Sequence, residues 1–490
     1  MKAMPPFARL TRTALTALLL AGCAVGPDFK APAPPVAEGF TPDPVAPQTV
    51  FSEGLGGGVQ HFDANRPVAT DWWRAFGSPA LDDLITAAFA KNPNLEAAKA
   101  AFRAAEETRA AGEGAYYPSL SGSVTTMREK TSGVSAGVPG TSLTSFSLYN
   151  TGVTVSYPLD VFGGTRRKVE ELTAQAESER LALEAARLTL AGNIATAAIQ
   201  EAGLRAQIDA TKEIIATEEK QRDLLKRQLE LGAVTKAALL AEEATLAATR
   251  AGLPSLYMQL AQNRHLLATL AGEVPSAKVE ATFELGHLHL PEALPLTIPS
   301  KLVAQRPDIK AVEAQLHAAS AAIGVAEAAR YPQITLSGSF GLDALQIAQL
   351  FNTGAAAWSI GGSLVQPLFE GGALEHKQRA AEAGYDETLA TYKGTVLSAF
   401  KEVANVLRAL ESDAETLRAR HEAVRVAKES LDLAQEQFKA GSVSYLTLLN
   451  AEQTWQQARI ALTQAQTQRF ADTATLFVAL GGGFSDGDQK

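Results

Sequence analysis

The side chains able to do covalent or metal chemistry are few, and their spacing does not suit it. Cys23 is the only thiol in 490 residues, so no internal disulfide can form. The seven histidines are His61, His265, His287, His289, His317, His376 and His421. No pair of them has the i, i+4 spacing with a Glu that lets a helix hold zinc, and no nucleophile elbow presents a serine. His287 and His289 stand two apart in a Pro-flanked segment, and no metal is expected there. Gly361-Gly362 and Gly371-Gly372 are not phosphate loops, because no Gly-Lys-Ser/Thr follows them. The formal charge of −9 argues against a nucleic-acid partner, which needs clustered cations. The chain therefore reads as a non-enzyme.

What surrounds Cys23 gives it a different role. Lys2, Arg9 and Arg12 make a basic start, Ala14 to Leu20 a short apolar stretch, and Leu20-Ala21-Gly22 precede the cysteine. A bilayer span needs roughly 20 apolar residues, so this stretch reads as a removed secretion signal, residues 1–22. Leu-Ala-Gly-Cys resembles the bacterial lipobox, whose cysteine is acylated and becomes the new N-terminus. That implies a covalent lipid on Cys23 and no other cofactor. Under the sorting rule for such proteins, Ala24 permits delivery to the outer membrane. No later stretch is long and apolar enough for a membrane helix, so any crossing must use strands that leave no open edge in lipid.

The elements that follow are laid out twice. Residues 23–65, rich in Pro, Gly and Ala over 26–60, read as an extended tether. Order begins near Asp71-Trp72-Trp73-Arg74-Ala75-Phe76. Asn92-Pro93 recurs as Arg306-Pro307-Asp308 and Tyr117-Pro118 as Tyr331-Pro332, with 25 residues between the prolines in each copy. Tyr157-Pro158-Leu159 recurs as Gln366-Pro367-Leu368, and Gly163-Gly164 as Gly371-Gly372. Gly164 to Gly232 is 68 residues and Gly372 to Gly441 is 69; Gly232 to Gly272 and Gly441 to Gly481 are both 40. This defines a first repeat at 91–272 and a second at 305–481. Residues 273–304 connect them, and 482–490 form a tail.

Each repeat predicts a helix of about 20 residues, two strands, a very long helix and a shorter return helix. The strands fall at about 118–128, 151–160, 332–342 and 357–367. Along them apolar residues alternate with Ser, Thr and Gly: Leu120, Gly122 and Val124 against Ser119, Ser121 and Ser123; Trp358, Ile360 and Leu364 against Ser359 and Ser363. A half-buried soluble sheet gives the same alternation. The export signal and the Ser/Thr-rich polar faces favour a membrane barrel. The long helices, about 165–230 and 373–439, contain no Pro. At ~1.5 Å per residue each is a rod of ~100 Å, which must pack along its length with others. The two shorter helices of a repeat, ~30 Å and ~53 Å, nearly match one rod end to end. Four strands cannot close a membrane barrel, so the chain must assemble with copies of itself, in a number the pattern leaves open.

Cys23-Ala24-Val25-Gly26-Pro27-Asp28-Phe29, Asp71-Trp72-Trp73, Arg306-Pro307-Asp308, Tyr331-Pro332, Pro367-Leu368-Phe369 and Leu480-Gly481-Gly482-Gly483 resemble the TolC-like outer-membrane factors. The similarity is to their lipoprotein efflux branch (OprM/NodT-like) and covers essentially the whole mature chain. It implies a mainly α fold with a membrane β-barrel portion: a homotrimer with a 12-stranded β-barrel on a long α-helical barrel. Residues 66–90 and 273–304 become an equatorial collar. The implied role is that of a lipid-anchored outer-membrane channel subunit reaching into the periplasm. It would passively conduct drugs or other small molecules for an inner-membrane pump, proton-driven, joined through a periplasmic adaptor. The resemblance places adaptor docking at Leu231-Gly232-Ala233 and Gly441-Ser442-Val443, turns that would serve equally as ordinary helix stops. It places the gate at Phe438, Leu446, Thr447, Asn450 and Gln453. Ala238, Thr447 and Asn450 stand where relatives carry acids, and Gln453 where the branch carries a base. A constriction held by Leu446 packing and amide hydrogen bonds is expected. A type I secretion duct and a coiled-coil lipoprotein without a pore are the alternatives.

Overall fold

The computed structural model describes residues 24–35, 39–64, 66–130, 145–277 and 280–484. The chain divides into two compact units: one of residues 1–31, 103–178 and 312–392, the other of residues 32–102, 179–311 and 393–490.

The first unit is built on an antiparallel sheet of β2 (Ser119–Glu129), β3 (Phe146–Leu159), β5 (Gln333–Ala344) and β6 (Ala356–Val365), in that order. Its register puts like beside like. Ser121, Thr154, Ser339 and Ser359 form one cross-strand row, and Leu120, Val155, Gly338 and Ile360 another on the opposite face. A Gly at Gly163 and at Gly371 breaks the chain after each strand pair, and a long helix starts immediately: α3 (Gly164–Glu230) and α7 (Ala373–Lys439), 67 residues each.

The segment after Cys23 is clamped in this unit. Val25 N–H donates to the Phe162 carbonyl at 3.1 Å. Arg167, buried on α3, donates to the carbonyls of Val25 and Gly26, at 3.1 Å each, to Asp28 Oδ1 at 2.8 Å and to Glu170 Oε2 at 2.8 Å. Phe29 stacks on His317, with centroids 4.5 Å apart, and His317 Nε2 lies 2.9 Å from Glu170 Oε1.

The second unit holds α1 (Pro79–Lys91), the start of α2 (Pro93–Glu113), most of α3, α4 (Lys236–Leu270), α5 (Pro299–Gln305), the start of α6 (Pro307–Ala328), the rest of α7 and α8 (Tyr445–Ala479). Its aromatic core joins Trp72, Trp73 and Phe76 to Phe477, with Trp72 stacked on Phe477 at 5.4 Å. A short parallel pair, β1 (His61–Asp63) with β4 (Ala293–Pro295), closes beside it.

Residues 40–62, expected as part of an extended tether, instead run as bends and a turn built into this unit. Phe40 packs edge-on against Phe400, Arg408 reaches the Asp43 carbonyl, and Thr49 and Gln60 are buried. Arg469, fully buried on α8, supplies the reason: its Nη2 donates to Thr49 Oγ1 and to the Gly58 carbonyl. A buried guanidinium without acceptors is costly, so the segment that provides them is held.

The repeat is visible in the backbone. Asn92 Nδ2 donates to the Leu270 carbonyl at the end of α4, and Arg306 Nη1 to the Ala479 carbonyl at the end of α8. Each junction is completed by a left-handed glycine pressed on backbone. A Cβ on Gly272 (φ 80°) would lie 2.5 Å from the Lys91 carbonyl oxygen, and one on Gly481 (φ 90°) 2.7 Å from that of Gln305. Two residue types at equivalent positions thus satisfy the orphan carbonyls of equivalent helices.

Candidate functional site

Two surfaces could carry function, one in each unit. The first is the apolar face of the sheet. Leu120, Val124, Phe340, Trp358, Ile360 and Leu364 are all more than half exposed, with Val124 at 81% and Ile360 at 83%. Such a contiguous apolar face has no place in water. The outer edges of β2 and β6 have no partner strand among the described residues. Strand lengths of 10–14 residues suit a tilted crossing of lipid. Among the described residues no helix is long and apolar enough to cross a membrane.

The second surface is the helical end formed by the last turns of α3 and α7 and the first turns of α4 and α8. Both turns close alike. Ala233 N–H donates to the Gln228 carbonyl and Gly232 N–H to that of Leu229; Ser442 N–H donates to Gln437 and Gly441 N–H to Phe438. These are Schellman closures, each around a left-handed glycine. Thr235 then caps α4 by accepting from Ala238 N–H, and Ser444 caps α8 by accepting from Thr447 N–H. Leu231 at the tip is 83% exposed. Leu231, Gly232, Ala233, Gly441, Ser442 and Val443 are thus together on two adjacent turns of one repeat pattern.

The residues of the expected gate divide between core and surface. Phe438 packs edge-on against buried Tyr445 at 5.7 Å. Leu446, Thr447 and Asn450 share an outward stripe of α8, and Leu446 is 59% exposed. Within the chain the core is made instead by Leu448 and Leu449 with Leu225, Leu431 and Ala434. Gln453 donates to Thr245 Oγ1 on α4 at 3.0 Å, so its amide ties α8 to α4.

Beneath that stripe lies a cluster that periodicity did not mark. Glu218 on α3, Glu242 on α4 and Glu452 on α8 are each at most 3% exposed. Tyr445 donates to Glu242 Oε2 at 2.5 Å, and Thr249 to Glu218 Oε1 at 2.9 Å. Burial is the main cause that raises all three carboxyls above the ordinary range, and Glu452, repelled also by Glu242 and Glu218, reaches about 7. Their signal in the sequence is positional: Glu242 lies between Leu239 and Leu246, and Glu452 between Leu449 and Trp455, on the apolar side of their helices. Among the described residues no group of acids, histidines or cysteines has the arrangement of a metal site.

The family model of the outer membrane efflux proteins matches residues 84–273 and 298–482. The pyoverdine export outer membrane protein OpmQ of Pseudomonas aeruginosa is 30% identical over 464 residues, covering 92% of this chain and 95% of that protein. Outer membrane protein OprJ of the same organism is 29% identical over 489 residues, covering 96% and 95%. The solved outer-membrane channel OprN superposes with a TM-score of 0.83 at 27% identity, covering 94% of this chain and 99% of that one.

Proposed function

Because the chain belongs to the outer membrane efflux protein family, we propose that it is the outer-membrane channel subunit of a tripartite efflux pump. The observation that carries this is the sheet, apolar and exposed on one face, Ser/Thr-rich on the other and open at both edges, whose strand pairs each lead into a 67-residue helix. Lipid satisfies the apolar face, and copies of the chain satisfy the edges. Three copies give 12 strands and a helical tunnel. The family, one of efflux channel proteins, supports a passive duct rather than a catalyst.

The remaining parts follow that reading. An acyl chain on Cys23, which lies outside the described residues, anchors the protein in the outer membrane. An adaptor docks on the paired turns around Gly232 and Gly441, and an inner-membrane pump delivers the cargo. The stripe of Leu446, Thr447 and Asn450, turned away from the chain's own core, becomes the constriction when three chains meet. OpmQ is named for pyoverdine export, which supports small-molecule cargo over protein cargo here. The test is conductance: purified full-length protein reconstituted in planar bilayers gives discrete channels, cross-links as trimers and partitions with outer-membrane lipid. A water-soluble monomer that conducts nothing would refute the proposal.

A further inference from the structure

Glu218, Glu242 and Glu452 converge from three helices onto the packed end beside the proposed gate. Facing them, α3 offers Gln221 to the Tyr445 hydroxyl; α4 offers Thr249; α8 offers Tyr445 and Gln456; α7 offers the apolar Leu431, Ala434 and Phe438. Of the basic residues on the neighbouring turns, Lys226 pairs with Glu243 and Arg459 with Glu213, while Arg250 pairs with Glu219 and also faces Glu218. Two carboxylate oxygens, Glu218 Oε2 and Glu242 Oε1, are fully buried with no partner. Arg250 is the one cation acting on the cluster, on Glu218 and more weakly than burial, while burial and neighbouring carboxyls dominate at Glu242 and Glu452, so a buried carboxyl with an unpaired oxygen here is cheaper neutral than ionised. A groove of about 660 Å³ lies on the same helices, its lining including Thr245, Thr249, Gln453 and Gln456 among apolar side chains.

We propose that these three glutamates are a proton-binding latch: protonated, they hold α3, α4 and α8 together and keep the turn end shut; ionised, they loosen it. The placement of this latch beside a gate rests on the channel reading above. The direction follows from linkage. A carboxyl whose packed-state pKa is raised stabilises the packed state in full below its ordinary value of 4.5, and that stabilisation is lost as pH climbs through about 7. The gap between 4.5 and about 7 weakens the closed arrangement by up to about 300-fold once Glu452 is ionised.

The full-length protein in lipid vesicles is titrated from pH 5 to 9 by infrared spectroscopy, following the C=O stretch of protonated carboxyls. Amide hydrogen exchange over residues 215–250 and 440–460 is measured in parallel, corrected for the intrinsic pH dependence of exchange. In the wild type a carboxyl band disappears near pH 7 and protection falls by up to about 300-fold; Glu452→Gln removes that band and keeps protection level. Glu242→Gln, made in parallel, lowers the midpoint of the Glu452 band by removing a neighbouring charge. A band unaffected by Glu452→Gln, or protection that falls equally in both proteins, overturns the latch. Single-channel open probability rises over the same pH range in the wild type and stays level in Glu452→Gln. Open probability independent of pH while protection changes would overturn the link to gating. Silence at every pH, with band and protection behaving as stated, would count against the channel reading alone.

Discussion

Adding one methyl group at Gly481 tests the junction that ends each repeat. Gly481 has φ 90°, and a Cβ there would lie 2.7 Å from the Gln305 carbonyl oxygen and 3.3 Å from Arg306 Cα, all backbone that cannot swing away. The left-handed conformation costs an L-residue roughly 1–2 kcal/mol. The clash adds about 1–3 kcal/mol of overpacking. Gly441 separates the two effects: its φ is 69°, yet a Cβ there meets nothing within 4 Å. Gly441→Ala therefore carries the conformational cost alone, and Gly481→Ala carries both. Native-state hydrogen exchange of amides near the last turn of α8, compared with amides near the Gly441 turn in the matching variant, reads the difference. At 1.36 kcal/mol per tenfold, opening at the Gly481 junction is favoured by an extra factor of about 5–150. Equal effects of the two substitutions would refute the close approach of Gly481 to the Gln305 carbonyl. Gly272→Ala, whose Cβ would be 2.5 Å from the Lys91 carbonyl oxygen, should behave like Gly481→Ala.

Other outcomes are equally specific. Ile360→Arg puts a charge on the apolar face of β6 and should cost about 2–4 kcal/mol of membrane insertion, while Ser359→Arg on the other face costs little; vesicle-insertion yields distinguish them. Asn450→Asp adds an acid to the outward stripe of α8, so multivalent cations should block single channels more strongly; unchanged block contradicts the placement of Asn450 at the constriction. Asp413 is pushed up to about 8, by burial first and by Asp472 next, so it stabilises the fold fully below pH 3.8 and that contribution is lost as pH rises through about 8. Asp472→Asn should shrink the fall in thermal stability across that range, and an unchanged pH profile of melting would argue against the pair.

The repeat and the strands were legible because their signals are local. Gly and Pro mark every turn, and alternation of Ser with Leu or Ile is a period-two pattern that needs no tertiary context. β3 illustrates the limit. It begins at Phe146 rather than near 151, because its partner β2 runs on to Glu129 and the ladder continues through Ser147 and Asn150, where the alternation is poor. The buried glutamates carry no such local signal, since acids on a long helix ordinarily mark its solvated face; only the convergence of three helices reveals them. Residues 40–62 read as loose because Pro and Gly dominate them, whereas their partners Phe400, Arg408 and Arg469 lie more than 350 residues away. The proposed gate stripe stands on resemblance alone in sequence, and a single chain displays it as surface.

The inlaid course of residues 40–62 changes what an N-terminal deletion means. Trimming the chain to start at the first aromatic helix would look like cutting off a leash. It would instead strip the buried Arg469 of the Thr49 hydroxyl and the Gly58 carbonyl, leaving Asp413 as the group that still faces its charge. Any shortened version intended to stay intact has to begin ahead of Phe40.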